Sequence, residues 1–265
     1  MAEDILVERD GHVCVITVNR PRVMNSLDFT ANDKLVKAWR NFADDPDLRV
    51  AMITGSGAKA FCAGADLKTY TMSFATTSAP EFRKKYTNGP GIGGITRNLH
   101  VYKPIVAAIN GYAISGGFEI ALACDIRFCS EHAEFGLQDV KWGFHACDGA
   151  LIRLRDIVGR GNAMEMILSG DLIDAEHALR IGLVNRIVPQ ERLVDESLAY
   201  AHRLATRAPL AQQLAKEVMV RAEGLSLDEA LRLESISFHG LGRTRDLGEG
   251  TTAFREKREA KFIGK

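Results

Sequence analysis

The sequence lacks three features that mark exported, membrane or nucleic-acid-binding proteins. Its N-terminal stretch, MAEDILVERD, has no basic segment followed by an apolar one, so we expect no secretory signal. No apolar run approaches the roughly 20 residues that a membrane-spanning helix needs. The 34 basic and 34 acidic residues cancel, so no net charge attracts nucleic acid or an anionic membrane. These absences predict a cytoplasmic protein with neither kind of partner.

The cysteines form neither a disulfide framework nor a zinc site. They are five, an odd number, and no two have CxxC spacing. No group of cysteines and histidines has the spacing of metal ligands, so we expect no metal. Three of them lie in apolar stretches, which is typical of reduced thiols that fill a core. The five are Cys14, Cys62, Cys124, Cys129 and Cys147.

The remaining pattern predicts an α/β protein. Residues on either side of Asp10-Gly11 alternate between apolar and polar, which predicts a β-hairpin. A helical pattern over Leu27–Phe42 follows the hairpin, and a buried strand over Val50–Thr54 comes next. This order of strand, helix and strand indicates α/β crossover units.

The last third changes character. From Ala175 onward five helical patterns succeed one another, the last over Leu247–Phe262. At 265 residues the chain has room for one large domain with a helical extension. We therefore divide it into a core of residues 1–200 and a helical region of residues 201–265.

A buried strand, a glycine-rich turn and a short helix follow one another between residues 103 and 129. Pro104–Asn110 is a nearly unbroken apolar run, as in a strand buried on both faces. Gly116 and Gly117 then open a helix whose free N–H groups and positive dipole end suit an anion. Glu119 lies on the same face as this opening, in apolar surroundings where a carboxylate is costly to bury. It is either a functional group or the partner of a buried arginine.

Three other segments are candidates for a site. The small residues of Ala60–Lys68, AFCAGADLK, let the backbone approach a ligand closely, although Asp66 also suits a helix cap. Thr69–His100 is polar and mixed, which indicates a mobile surface segment that lines a pocket. Asp139 follows a predicted strand over Glu134–Gly136, the usual place for catalytic groups in α/β folds, and also a common place for a turn residue.

Six segments in this order resemble the crotonase (enoyl-CoA hydratase/isomerase) superfamily over nearly the whole chain. The resemblance implies an α/β spiral of ββα turns, with a helical C-terminal region that packs homotrimers or dimers of trimers. It also implies an acyl-CoA thioester as substrate, with no cofactor beyond the coenzyme A that the substrate carries. The segments are Ile16–Pro21 with Asn25–Leu27, Ile53–Gly55 with Ala60–Lys68, Lys103–Ala113, Gly116–Ile126, Gly182–Asn185 and Glu249–Arg258.

The resemblance also implies the catalytic groups. The backbone N–H groups of Ala65 and Gly116 correspond to an oxyanion hole for an enolate-like state. Glu119 corresponds to the first of two carboxylates that hold and activate water in hydratases. Asp139 stands where hydratases have the second, a glutamate after proline; here the side chain is one methylene shorter and follows Gln138.

Further residues are implied to contact the substrate. Lys257, with Phe238 as an apolar neighbour, corresponds to a segment that reaches the nucleotide of a neighbouring subunit; the alternative is a basic surface helix without a ligand. The other contacts expected for the acyl-CoA are Ala63, Asp66, Leu67, Lys68 and Gly117.

One segment departs from the hydratase pattern. Gly143–Gly149 reads GFHACDG where hydratases have a proline and a run of small residues. His145, Cys147 and Asp148 are candidates for lining a non-standard acyl pocket or for an acid or nucleophile. The alternative is that they are loop and cap residues, with Asp148 capping a helix that starts near Gly149.

Together these features predict a lyase, an enoyl-CoA hydratase that adds water to a 2-trans-enoyl-CoA. The altered segment keeps open another acyl-CoA reaction, either double-bond isomerisation or the hydrolysis of a ring or C–C bond. A third hypothesis is a member of the superfamily that is non-catalytic or binds RNA. RNA binding would need a lysine-rich exposed face, and the first helix offers only Lys34, Lys37 and Arg40, so the sequence does not favour this hypothesis.

Overall fold

Two β-sheets and ten α-helices build residues 3–265, the part of the chain that this computed structural model describes. The strands are β1 Ile5–Asp10, β2 Val13–Val18, β3 Val50–Gly55, β4 Ala60–Cys62, β5 Ile105–Ile109, β6 Tyr112–Ile114, β7 Ile126–Ser130, β8 Glu134–Gly136, β9 Ile173–Asp174 and β10 Arg186–Val188. The helices are α1 Phe29–Asp44, α2 Leu67–Thr76, α3 Ala79–Phe82, α4 Gly116–Ala123, α5 Ala150–Ser169, α6 Ala175–Arg180, α7 Leu193–Ala205, α8 Pro209–Arg221, α9 Leu227–Leu241 and α10 Arg245–Glu256.

The two sheets are mostly parallel. The larger has the order β1-β2-β3-β5-β7-β10, with only β1 antiparallel to its neighbour. The smaller has the order β4-β6-β8-β9, with only β9 antiparallel. Every residue of β3 and β5 is buried, because the strands are covered on both faces. This burial explains their continuous apolar sequences.

The chain runs through both sheets as a spiral. Each turn adds one strand to the larger sheet, one to the smaller sheet, and then a helix: β3, β4 and α2, then β5, β6 and α4, then β7, β8 and α5. Successive turns are parallel neighbours in both sheets. The predicted α/β spiral of ββα turns is therefore confirmed. Because β4, β6 and β8 end at one edge, the residues that follow them meet there.

Local chemistry fixes the helices that begin at this edge. Asp66 caps α2, its carboxylate accepting a hydrogen bond from the Lys68 N–H (3.0 Å). Gly117 lets α4 pack against β4, since a Cβ there would lie 1.9 Å from the Cys62 carbonyl oxygen. Ser115, just before α4, has a φ of 49°, which is unusual for a residue with a side chain. The turn between β6 and α4 therefore holds the chain in one tightly determined conformation.

One sequence-based expectation is confirmed in part, and another is wrong. Residues 69–100 line a pocket, as predicted, but α2, α3 and a π-helical turn over Arg83–Thr87 occupy much of the segment. The last helical pattern ends at Glu256 rather than Phe262. Beyond it the chain folds back, and the buried Asp246 carboxylate accepts hydrogen bonds from two backbone N–H groups near the C-terminus (both 2.8 Å).

The C-terminal third is helical, as predicted. Helix α7 packs on the larger sheet, with Ala201 and Ala205 against Val13, Val50 and Val106. The boundary placed between residues 200 and 201 falls inside this helix, and the division into two units stays a prediction. Within residues 3–265, no helix is both long enough and apolar enough to cross a membrane.

Candidate active site

A cavity of about 1250 Å³ opens at the edge where β4, β6 and β8 end. Its wall includes eleven of the fourteen site residues predicted from the sequence. They are Ala63, Ala65, Asp66, Leu67, Lys68, Gly116, Glu119, Asp139, His145, Cys147 and Asp148. The spiral thus brings together three segments that are far apart in the chain.

Two backbone N–H groups meet in the wall of this cavity. The residues on either side of Ala65 hydrogen-bond to Leu27, through Gly64 O and Asp66 N (both 2.8 Å), so the Ala65 N–H points away from that strand-like contact. Gly116 is the first residue of α4, where a helical N–H has no acceptor within its own helix. A Cβ on Gly116 would lie 3.4 Å from the Ala65 nitrogen, so the two groups are neighbours.

These two N–H groups are free donors. Neither donates to any acceptor within residues 3–265. The positive end of the α4 dipole lies at the same point. The arrangement suits an oxygen atom on which negative charge develops.

Glu119 lies in the first turn of α4, with only 3% of the residue exposed. One carboxylate oxygen, Oε1, accepts hydrogen bonds from the N–H groups of Asp148 (2.6 Å) and Ala150 (3.1 Å). Within residues 3–265 no arginine forms an ion pair with this carboxylate, whose partners are the two backbone N–H groups, so the alternative of a core salt bridge is wrong. Burial, followed by the charge of Asp148, raises the pKa of Glu119 to about 8 despite these two hydrogen bonds.

Asp139 lies in a 3₁₀ turn, Gln138–Trp142, directly after β8. It is 5% exposed, and its Oδ2 atom has no hydrogen-bond partner among the described residues. Burial raises the pKa of its carboxyl group, and the nearby Ser115 hydroxyl opposes that shift. The cavity therefore contains two buried carboxyl groups that both favour their protonated forms more than free side chains do.

The segment that departs from the hydratase pattern holds Glu119 in place. Besides donating its N–H to Glu119, Asp148 accepts a hydrogen bond from Arg97 through its own carboxylate (Nε to Oδ1, 2.7 Å). Arg153 donates to the backbone oxygens of Asp148 (3.2 Å) and Thr96 (2.9 Å). The Asp148 side chain does not cap α5, whose N-cap is Gly149 with a φ of 108°. Two guanidinium groups therefore fix the turn that binds Glu119.

His145 and Cys147 line the cavity and are both exposed, and the role of His145 as an acid stays a prediction. The His145 ring contacts the carbonyl oxygen of the next residue (Nδ1 to Ala146 O, 2.9 Å). Desolvation, with the charges of Asp148 and Glu119, raises the pKa of Cys147 to about 12. Because a thiol is a weak nucleophile, this shift argues against attack by Cys147. Burial likewise raises the pKa of Cys62, beside the oxyanion loop, to about 12.

Three predicted contacts do not line this cavity. Gly117 packs against Cys62 and lets α4 approach β4, and its predicted contact with the acyl-CoA stays a prediction. Phe238 lines a second cavity, with Leu210 and Phe254 among its neighbours. Lys257 lies at the C-cap of α10, in neither cavity. The last two were expected to reach a neighbouring subunit, and that expectation stays a prediction.

Sequence reasoning missed the aromatic residues of the wall. Six of them line the cavity, on α1, on α2, in the 83–87 turn and between Asp139 and Asp148. Tyr70 and Phe74 are four residues apart, a spacing that places two side chains on one face of a helix, and this spacing could have predicted them. They are Phe29, Tyr70, Phe74, Tyr86, Trp142 and Phe144.

The chain matches the family model described as enoyl-CoA hydratase/isomerase over residues 8–265. This match covers nearly all of the chain and includes every element of the site. The chain belongs to the enoyl-CoA hydratase/isomerase family.

Proteins of this family align with the chain from end to end. The (E)-benzylidenesuccinyl-CoA hydratase of Thauera aromatica is 38% identical over 98% of this chain and 99% of its own length. The carnitinyl-CoA dehydratase of Salmonella arizonae is 38% identical over the whole of both chains. The crystal structure of an enoyl-CoA hydratase from Mycobacterium tuberculosis H37Rv is similar, with a TM-score of 0.89, 32% identity and 99% coverage of each chain. Membership of the family makes the chain an enzyme that acts on an acyl-CoA.

Proposed function

We propose that the protein is an enoyl-CoA hydratase, a lyase that adds water reversibly across the double bond of a 2-trans-enoyl-CoA. One observation carries this proposal: two free N–H donors and two buried carboxyl groups line the same cavity. The named activities of two relatives, a hydratase and a dehydratase, add or remove water and so support the same class of reaction.

The two amides would stabilise the charge that the reaction creates. When the oxygen of water bonds to the β carbon, the electron pair of the double bond moves toward the thioester carbonyl and gives an enolate. Its oxygen would lie between the N–H groups of Ala65 and Gly116. Losing one donor of this kind typically costs about 2.7–4 kcal/mol of transition-state stabilisation. The enolate then takes a proton at the α carbon, and the carbonyl re-forms.

The two carboxyl groups would move the protons. The reaction needs one carboxylate to accept a proton from the attacking water and one carboxylic acid to supply a proton to the α carbon. Glu119 and Asp139 can hold a single proton between them, because burial disfavours two charges in one cavity. Oδ2 of Asp139 is buried and has no hydrogen-bond partner among the described residues, whereas Oε1 of Glu119 is held by two backbone donors.

Basic residues at the cavity suit the phosphate groups of coenzyme A. Lys68 follows the oxyanion segment directly, and Arg40 and Lys84 also line the wall. We assign Lys68, with Ala63, Asp66 and Leu67, to the binding of the CoA moiety. The substrate would supply this coenzyme, so the reaction as proposed uses no other cofactor.

The proposed assembly is a homotrimer or a dimer of trimers. Large apolar side chains on α9 and α10 are exposed, among them Phe238 at 72% and Phe254 at 85%. A contact between protomers would cover this surface, since monomeric proteins rarely expose so much of it. In such a contact Lys257 would reach the nucleotide of a neighbouring subunit.

Spectrophotometry of crotonyl-CoA and longer straight-chain 2-enoyl-CoAs tests the proposal. Hydration removes the conjugated double bond, so the thioester absorbance should fall with time, and a 3-hydroxyacyl-CoA should appear. Glu119→Gln provides the inactive control. Turnover of no 2-enoyl-CoA in either direction, whether its β substituent is alkyl or aryl, would exclude the hydratase and favour isomerisation or C–C hydrolysis within the family.

A further inference from the structure

Aromatic side chains are concentrated in the cavity wall. The whole chain has 12 Phe, 5 Tyr and 2 Trp residues, and six of these line this single cavity. They come from four separate segments of the chain, so no single amphipathic helix accounts for their grouping. The concentration indicates a ligand surface built for a flat, apolar group.

Four of the rings form one continuous face. Phe29 contacts Tyr70 (ring centroids 4.4 Å apart), Tyr70 contacts Phe74 (5.7 Å), and Phe74 contacts Tyr86 (5.3 Å), each pair tilted. The Tyr86 hydroxyl is fixed by a hydrogen bond with Ser73 (2.8 Å). The rings are therefore already packed in one arrangement, and a ligand would lose little conformational entropy by binding to them.

Trp142 and Phe144 face the cavity from another segment. They are 67% and 41% exposed, although both are large apolar residues. They lie between Asp139 and Asp148, which places them beside the carboxyl groups of the site. An apolar substituent in the cavity would cover them.

The aromatic face lies at the reacting end of the cavity. Tyr70 lies on α2, five residues after Ala65, and lines the same cavity as Asp148. Asp148 in turn binds Glu119 through its backbone N–H. With the thioester oxygen at Ala65 and Gly116, a substituent on the β carbon would extend past Glu119 toward Tyr70 and Phe144.

From this arrangement we infer that the natural acyl group carries an aromatic ring on its β carbon, so that the substrate is a 3-aryl-2-enoyl-CoA or its 3-hydroxy-3-aryl hydrate. The inference rests on the proposed function. Edge-to-face and offset contacts between two rings add about 0.5–1.5 kcal/mol per pair to the free energy gained by burying apolar surface. An alkyl chain gains only the free energy of burying its apolar surface. Contacts with several rings therefore favour the aryl substrate.

Dehydration assays measure this preference directly. Conjugation with the ring favours the alkene, so we would assay 3-hydroxy-3-phenylpropanoyl-CoA and, as an alkyl substrate of similar size, 3-hydroxyoctanoyl-CoA in the dehydration direction. We expect kcat/KM for the aryl substrate to be at least about tenfold higher, an advantage of about 1.4 kcal/mol. Both substrates carry the same coenzyme A, so any stacking of its adenine on these rings cancels in the ratio.

Variants locate the source of the preference. Tyr70→Leu and Phe144→Leu should each reduce the aryl-to-alkyl ratio of kcat/KM by threefold to tenfold, since one ring contact is lost. Tyr102→Leu, an aromatic replacement outside the cavity wall, should leave the ratio unchanged.

The outcomes separate this inference from the proposed function. Turnover of the alkyl substrate with no preference for the aryl one overturns the inference and leaves the hydratase in place. Turnover of neither substrate overturns both. Because conjugation itself speeds dehydration of the aryl substrate, the change in the ratio decides the matter. An aryl preference that is reduced in the cavity variants supports the inference, and a preference that stays unchanged in whichever of the two variants folds overturns it.

Discussion

The beginning of helix α4 and the segment from residue 138 to residue 148 each place a carboxyl group in the cavity, but they hold it differently. Glu119, on α4, has one oxygen bound by two backbone N–H donors and lies on a rigid helix packed against β4. Asp139, in a short turn, has an oxygen without a partner among the described residues. One carboxyl group is therefore fixed by two hydrogen bonds, whereas the other keeps a buried oxygen that no described residue satisfies.

The two segments also differ in how well their sequences match the family pattern. The start of α4 keeps the family pattern, whereas the second segment departs from it in the aspartate and in the FHACD run. The two segments are nevertheless joined, because the N–H of Asp148 binds the carboxylate of Glu119. The segment that departs from the pattern therefore supplies a hydrogen bond to the segment that keeps it.

Replacement of Glu119 should have the largest effect. Glu119→Gln keeps an oxygen that accepts both backbone hydrogen bonds but removes the exchangeable proton. General acid–base catalysis typically contributes 10²- to 10⁴-fold, so we expect kcat to fall by about that factor with KM nearly unchanged. Steady-state kinetics on crotonyl-CoA measures this. Glu131→Gln, an exposed control, should be fully active. A proportional change in KM and kcat would contradict a chemical role.

A side chain at Gly116 should have the next largest effect. A Cβ there would lie 2.5 Å from Ile92 Cδ1 and 3.4 Å from the Ala65 nitrogen, so Gly116→Val narrows the gap between the two N–H donors. We expect kcat/KM to fall by about 10²- to 10³-fold, as when an oxyanion donor is lost. The matched control is Gly161→Val, since a Cβ at Gly161 meets nothing within 4 Å. Full activity of Gly116→Val would exclude the two-amide site.

The Arg97–Asp148 pair should have a moderate effect that depends on pH. Asp148→Asn keeps the N–H donor to Glu119 but removes a negative charge, so the pKa of Glu119 should fall below about 8. Arg97→Met leaves that negative charge unpaired, so the pKa should rise, and the loosened turn should lower kcat on the order of tenfold, or about 1.4 kcal/mol.

The pH profile of kcat/KM checks this pair. The alkaline limb should move to lower pH in Asp148→Asn and to higher pH in Arg97→Met, and Arg97→Lys should restore much of the parent's profile. Arg155→Met, which removes an exposed ion pair elsewhere, is the control. Shifts in the same direction for both variants would contradict the electrostatic argument.

The last effect concerns stability, and it leaves the rate aside. The pKa of Glu119 is raised from 4.5 to about 8, so the folded state holds its proton more tightly than the unfolded state. Stability attributable to this group is full below pH 4.5 and is lost as the pH rises toward 8, at most about 1.4 kcal/mol per pH unit. Glu119→Gln should therefore have a higher Tm than the parent at pH 8, with the difference shrinking toward pH 5. Thermal unfolding across this range tests it, and a constant difference would contradict the raised pKa.

The sequence alone determined the order of the elements and the place of the site. Alternation, apolar runs and glycine positions are local signals, and they predicted the hairpin, the strand before α4 and the carboxyl group on that helix. The resemblance supplied the pairing of Ala65 with Gly116. The same signals failed for residues 69–100, because polar composition hid the helix face that carries Tyr70 and Phe74.

Only the tertiary structure decided how the site is held. The contact between Arg97 and Asp148 joins residues 51 positions apart, and the two donors to Glu119 come from a segment about 30 residues further along the chain. Hydrogen bonds over such separations depend on how the turns of the spiral stack. Sequence spacing does not encode that stacking, so the fixed Glu119, the free oxygen of Asp139 and the aromatic wall became visible only when the strands were in register.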